Sequence, residues 1–333
     1  MRITHDMLLK VAQDTVEQRT RANRLIVSAY LSGSILEQEP LIGNTTDIDL
    51  FFIRDDEVTV AREIVRITDD VHLDITNAPR RAYRQVRELR SDAWSGPVLY
   101  GCRILYDPQH FLDFVQASVR GQFERPDHVL ERARPLAEQA RQIWFSFDMG
   151  AENTPVEQVS HYLRALEYAT NSIAVLTGVP LTERRFLLDF PARAQAVGRA
   201  GLMAGLVGLL GGSSVDLGAL QGMVEDWKMA FETAQKYSPP PAFAATRKHY
   251  YGKAVDAFVA GQQPNTALWP LLNTWTRMMV LLPTDAPAYR AWQDACRQLS
   301  LLGEAFSEKI EALDAFLDMV EETMEQWAQA NGA

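Results

Sequence analysis

Strand-like segments in this chain are confined to its first third, and from Pro126 onward the sequence repeats amphipathic helical spacing between Gly and Pro breaks. Such segregation predicts an α/β (α+β) N-terminal domain with a short mixed sheet, followed by an all-α helical-bundle C-terminal domain. A length of 333 residues suits two domains. The boundary is expected near residue 120, giving 1–120 and 121–333.

Within the first part, charged and apolar residues alternate with helical spacing over 5–23. The β-branched and aromatic run from Leu25 to Leu31 reads as a buried strand stopped by Gly33. Asp47 to Ile53 is apolar enough for a central strand, apart from two acids at its start. Glu57 to Ile67 has helical spacing, and Val71 to Asn77 is strand-like. Asn77 and Pro79 signal a helix over Arg80 to Leu89. A short strand from Arg103 to Tyr106 precedes a helix opened by Pro108 and ending near Arg120. The second part predicts helices over 127–149, 155–177, 191–210, 214–236, 267–281, 286–302 and 304–329, with SPPPAF at 238–243 as a rigid turn. Its recurring Trp and Tyr residues are expected in helix contacts, with a few lining an acceptor cleft, and Gly201, Gly205, Gly208 and Gly211 admit a close helix neighbour.

Charge narrows the function. The net charge is −10, and proteins that neutralise many phosphates carry the opposite excess, so nucleic acid is disfavoured as a partner. Residues 1–120 hold 15 basic and 18 acidic groups, whereas the remainder holds 18 and 25. An acidic helical part attracts cationic small molecules, although a solvated exterior is the more ordinary cause. Two distant cysteines, Cys102 and Cys296, suggest neither a disulfide framework nor a zinc site. The N-terminal run lacks the apolar block of a secretory signal, and the longest apolar stretch, Gly201 to Gly212, is too short to span a bilayer. A cytoplasmic protein with no membrane contact is expected.

The chemistry concentrates in Leu31-Ser32-Gly33-Ser34, a gap of twelve residues, and Asp47-Ile48-Asp49-Leu50. Alternation around Ile48 sends Asp47 and Asp49 to one strand face. Neighbouring carboxylates repel unless a cation lies between them, so the pair points to a divalent metal, Mg²⁺ (or Mn²⁺) by its oxygen-only ligation. Gly33 lets backbone N–H groups approach a phosphate, and Ser34 offers a hydroxyl. Asp74, also an acid in an apolar strand, is positioned to assist the metal pair or to take a proton from an attacking hydroxyl. His72 shares its strand face with Asp74, yet a hydrogen-bonded structural histidine is the simpler reading. No HExxH, GxSxG or Walker-type motif is present.

These residues together resemble the signature of the nucleotidyltransferase superfamily related to DNA polymerase beta, over residues 25 to about 115. The resemblance extends to the ILYDP run at 104–108, which is similar to a strand-turn-helix of the small-substrate members. It implies that Gly33 and Ser34 bind the triphosphate of ATP or another NTP, that Asp47 and Asp49 hold the metals, and that Asp74 assists one metal or activates the acceptor. The implied reaction moves AMP from ATP to a hydroxyl of a small-molecule acceptor. The layout, an acidic helical domain beside such a core, resembles aminoglycoside adenylyltransferases, whose substrates are polycations. Glu157 and Glu167 are alternative acids for the acceptor proton. Where many relatives carry a basic residue after the Gly-Ser pair, this chain has Glu37 and Glu39, so triphosphate neutralisation must come from elsewhere. Arg80, Arg81, Arg84, Arg87 and Arg90 follow the Asp74 strand on or just beyond one expected helix, with 80, 84 and 87 on one face, and are candidates, with a solvated face as the ordinary alternative. A catalytically silent relative serving as a binding or protein-interaction module is the other reading.

Overall fold

In the computed structural model, residues 3–37, 39–149 and 153–333 are described. The chain divides into two compact units, Met1–His128 and Val129–Ala333.

The first unit is a mixed five-stranded sheet built from β1 (Ile26–Ser32), β2 (Thr46–Arg54), β3 (Arg62–Arg66), β4 (Val71–Pro79) and β5 (Arg103–Tyr106), in the order β3-β4-β2-β1-β5. Only β2 and β4 run parallel; the other neighbours are antiparallel. Helix α1 (His5–Ala22), capped by the Thr4 hydroxyl, lays Leu8, Ala12 and Val16 over one sheet face. There it meets Ala29, Leu31, Ile48, Leu50, Phe52, Leu73 and Ile75, which strand alternation sends to the same side. The opposite face carries Tyr30 and Ile53. They pack with residues of α2 (Val86–Ser91), α3 (Ser95–Gly101) and α4 (Phe111–Arg120). Tyr30 stacks on Phe51 at 4.7 Å, and its hydroxyl lies 3.0 Å from that of Tyr83. Asp47, Asp49, His72 and Asp74 follow the parity of this second face, at the end where β2 and β4 begin.

Two expectations are corrected here. Helical spacing over 57–67 gives way to the edge strand β3, because pairing with β4 satisfies a row of backbone groups that an isolated helix would leave to water. The helix expected over 80–89 is a 3-10 turn at Arg80–Tyr83 followed by the short α2. Arg80, Arg84 and Arg87 therefore share no helix face.

The second unit is all helical among its described residues. Its helices are α5 (Pro126–Asp148), which starts just before the unit boundary, α6 (Pro155–Ala174), α7 (Phe186–Ala196), α8 (Gly201–Leu209), α9 (Leu217–Ala234), α10 (Arg247–Val259), α11 (Leu268–Met279), α12 (Pro287–Gln298) and α13 (Phe306–Asn331). The run expected at 191–210 is split between α7 and α8, where Gly198 adopts a positive φ of 72° that closes α7. Helix α10 has no counterpart in the expected set. Its mixed face buries Tyr250, Tyr251 and Val255 without the clean stripe that periodicity detects. Trp227, Trp269, Trp275 and Trp292 are all buried. The Trp227 and Trp292 indoles donate to Thr274 and Thr276 at 2.9 and 3.2 Å, which satisfies their N–H groups in the core. Gly205 lets α8 approach Phe316 of α13. The 238–243 segment turns through a left-handed Ser238 and buries Phe243. Among the described residues no helix is long and apolar enough to cross a membrane.

Candidate active site on the first unit

The ladder between β2 and β4 decides which acids meet. It places Asp49 opposite Asp74 and Asp47 opposite His72. Parallel register puts opposed side chains on one side of the sheet, so Asp47, Asp49 and Asp74 occupy one face. Ser32 of β1 lies opposite Asp49 on the other flank. Asp47 and Asp74 are buried, His72 is fully buried, and Asp49 is half-buried.

The approach to β2 is set by a tight two-residue turn. Gly43 and Asn44 have φ of 57° and 62°, and Ile42 and Thr45 exchange backbone hydrogen bonds of 3.1 and 3.0 Å. Positive φ at both central positions belongs to a type I′ turn, which Gly and Asn tolerate best. The Thr46 N–H then donates to the Asp70 carbonyl at 2.9 Å, so β2 enters its register one residue before Asp47.

Gly33 follows β1 with φ 79° and ψ −167°, a backbone that disfavours side chains. A Cβ at this position would overlap the Asp49 carboxylate. Glycine is thus required twice, by the chain's path and by the closeness of the acid. Ser34 begins a 3-10 turn, Ser34–Leu36, anchored by buried Ile35; the His5 Nε2 lies 2.8 Å from the Ile35 carbonyl. The pair Gly33-Ser34 is therefore carried beside Asp49 by a tethered loop.

Sequence reasoning missed Arg62. Its guanidinium donates to both Asp74 carboxylate oxygens, with Nε to Oδ1 at 2.8 Å. The Asp74 side chain is only 7% exposed and that of Arg62 57%. A bidentate fork of this kind neutralises one of two carboxylates that the ladder sets side by side. The REIVR segment that carries Arg62 has no polar-apolar alternation to mark a strand, so its pairing partner was not legible from spacing. Arg62→Ala is expected to lower stability by roughly 1–2 kcal/mol, less than a fully buried pair would cost because the arginine reaches solvent. Urea unfolding checks this. A variant as stable as wild type would mean that water compensates Asp74 unaided.

The donor set fits a hard cation. Every acid on this face offers oxygen, and Gly33 leaves the Asp49 carboxylate room that a Cβ would fill. Among the described residues no three His, Cys, Asp or Glu side chains form a metal-holding group. One or two carboxylates, completed by water and phosphate oxygens, is the ordinary protein share for Mg²⁺.

The two glutamates of the helical unit separate into different roles. Glu157 forms the capping box of α6: its carboxylate accepts from the Thr154 N–H at 2.9 Å and the Thr154 hydroxyl at 2.7 Å. Those hydrogen bonds hold its pKa below the usual carboxylate range. It serves a helix end. Burial pushes the pKa of Glu167 up, and the charge of Glu183 adds to the rise. Glu183 accepts from Tyr251 at 2.9 Å, Asn273 at 2.8 Å and Arg277 at 3.0 Å, a polar cluster drawn from residues too far apart in sequence for spacing to reveal.

The raised pKa of Glu167 favours its neutral form in the fold. That contribution is complete below the ordinary glutamate pKa and is lost as pH rises through the folded value. Glu167→Gln is therefore expected to be more stable than wild type at pH 8 and equal to it near pH 4. Thermal unfolding across that range tests the sign, and a variant that is less stable at pH 8 would reverse it.

No protein-family model matches the chain, and neither does any curated protein.

Proposed function

We propose that this chain is a metal-dependent nucleotidyltransferase that moves a nucleoside monophosphate, AMP from ATP in the first instance, to a hydroxyl of a small-molecule acceptor. The observation that carries this reading is the β2–β4 register, which aligns Asp49 with Asp74 and keeps Asp47 on the same face. In this reading Asp47 and Asp49 hold Mg²⁺ or Mn²⁺. An ion held there would supply neutralisation of the charge that develops on the triphosphate. Gly33 and Ser34, held beside Asp49, receive phosphate oxygens through backbone N–H and hydroxyl groups. Asp74 is the third carboxylate. Arg62 occupies one lone pair on each of its oxygens, and the remaining lone pairs are available to an acceptor hydroxyl. Catalysis would rest on orientation for in-line attack at the α-phosphorus and on charge stabilisation.

The acidic balance of the chain supports a cationic acceptor, and its two buried, free cysteines suit a reducing cytoplasm. The Arg62–Asp74 pair gives some support to a second reading, a silent nucleotidyltransferase-like interaction module, because it spends one carboxylate on an internal partner.

Pyrophosphate release separates the two. The protein is incubated with Mg²⁺, each of the four NTPs and an acceptor panel that begins with aminoglycosides. Release that requires both nucleotide and acceptor supports the transferase. Absence of release with every nucleotide, together with a protein partner that co-purifies, would favour the interaction module.

A further inference from the structure

A second polar site lies at the opposite end of the two parallel strands. A groove of about 720 Å³ opens where β2 ends at Arg54 and β4 ends at Pro79. Arg54, Arg80, Arg81 and Arg84 line it, with Asp55, Asp56 and Glu57 as the acids. In open α/β sheets the region beyond the carboxyl ends of parallel strands is a habitual place for ligands, and β2–β4 is the only parallel pair in this sheet. Asp47 and Arg54 are seven residues apart on β2, or about 23 Å at the usual strand rise, so this groove is separate from the carboxylate face.

Two of the three acids of the groove, Asp55 and Asp56, hold its arginines. Asp56 accepts from Arg54 Nε at 2.8 Å and from Nη2 at 2.5 Å. Asp55 accepts from Arg80 at 3.2 Å, and the Arg80 guanidinium also lies over the Phe111 ring at 4.6 Å. Arg54 and Arg80 are thereby held in fixed positions, which lowers the ordering cost of binding an anion. Arg81 and Arg84 are exposed and make no ion pair among the described residues. The Asn77 amide donates to the Val60 carbonyl at 3.0 Å, and the Asn77 N–H to the Ala61 carbonyl at 2.8 Å, fixing the loop that walls the groove.

We propose that this groove binds a small anion carrying a chain of phosphates, with Arg81 and Arg84 as its direct contacts and Arg54 and Arg80 as prepositioned support. Arg81 and Arg84, flanked by the paired Arg54 and Arg80 around a space far larger than one phosphate, suit several phosphoryl groups better than one. This would be a distinct binding site from the one read at Asp47 and Asp49. It also assigns a use to arginines that sequence spacing had offered to the nucleotide of the other site.

The test is calorimetric titration of the intact protein with inorganic tripolyphosphate, in EDTA and low salt, so that metal-dependent binding elsewhere is silent. Saturable binding is expected, at least tenfold weaker in Arg81→Ala/Arg84→Ala and tenfold weaker for orthophosphate. Asp49→Asn should bind within twofold of wild type. So should Arg24→Ala/Arg290→Ala, which removes the same charge from other exposed positions. A parallel titration with ATP in EDTA distinguishes a free phosphate chain from a nucleotide-borne one, and either ranking supports the site. The proposal is overturned by absence of saturable binding, by loss in Asp49→Asn, by equal weakening in both arginine double variants, or by orthophosphate binding as tightly as tripolyphosphate. Thermal unfolding of each variant establishes that it is folded.

Discussion

Asp49→Asn is expected to abolish Mg²⁺-dependent stabilisation by nucleoside triphosphate while leaving the ligand-free protein at least as stable as wild type. The two halves of this expectation have different causes. A ligand present at about 100 times its dissociation constant stabilises a protein by roughly 2.7 kcal/mol, and that increment is expected to vanish when a carboxylate proposed to hold the metal is replaced by an amide. In the free protein Asp49 stands opposite Asp74 on the ladder, so removing one negative charge relieves repulsion between the two acids. A thermal-shift titration with ATP, GTP, CTP and UTP, with and without Mg²⁺, measures both effects and names the preferred base. If the variant binds Mg-nucleotide as well as wild type, the metal role of Asp49 is wrong. If the ligand-free variant unfolds much more easily, Asp49 is a structural acid.

Gly33→Ala carries the second large effect. The added methyl meets the Asp49 carboxylate, and the alanine must also hold a φ of 79°. Overpacking costs about 1–3 kcal/mol and a left-handed backbone about 1–2 kcal/mol for a residue with a Cβ, so a loss near 3 kcal/mol is expected. Because the clash is with a proposed metal ligand, nucleotide binding should fall with stability. Combining Gly33→Ala with Asp49→Gly, which removes the obstructing side chain, should recover part of the stability and none of the binding. Urea unfolding of the single and double variants measures this coupling. A single variant within 0.5 kcal/mol of wild type would mean that Asp49 turns aside at no cost and that the close approach has no structural weight.

Much of the first unit was legible because its strands are short, apolar and punctuated. The segments around Ile26–Ser32, Thr46–Arg54 and Val71–Pro79 announce themselves by β-branched density between Gly, Pro and Asp breaks, and Arg103–Tyr106 is bounded as expected. β3 was not legible. Five residues at a sheet edge contain too little pattern to separate a period of 2 from one of 3.6, and the pairing with β4 that makes Arg62–Arg66 a strand is non-local. The same limit hid α10, whose burial on several sides leaves no stripe.

The candidate site divides in the same way. Alternation along a strand is local, so the sequence alone put Asp47 and Asp49 on one face and made Asp74 and His72 neighbours on another strand. Which residue of β4 stands against which residue of β2 is a matter of register, and register is decided by the packing of Ile48, Leu50, Leu73 and Ile75 beneath α1. A slip of one residue would have sent Asp74 into that core. The overlap of a Gly33 side chain with Asp49, the Arg62 fork on Asp74 and the arginine groove beyond Arg54 and Pro79 all depend on strands meeting across the sheet. By itself the sequence determined a small mixed sheet followed by helices, and acids grouped on strands. Only the tertiary structure decided which charges face one another, because those distances arise from chain closure between segments whose separation in sequence carries no geometric information.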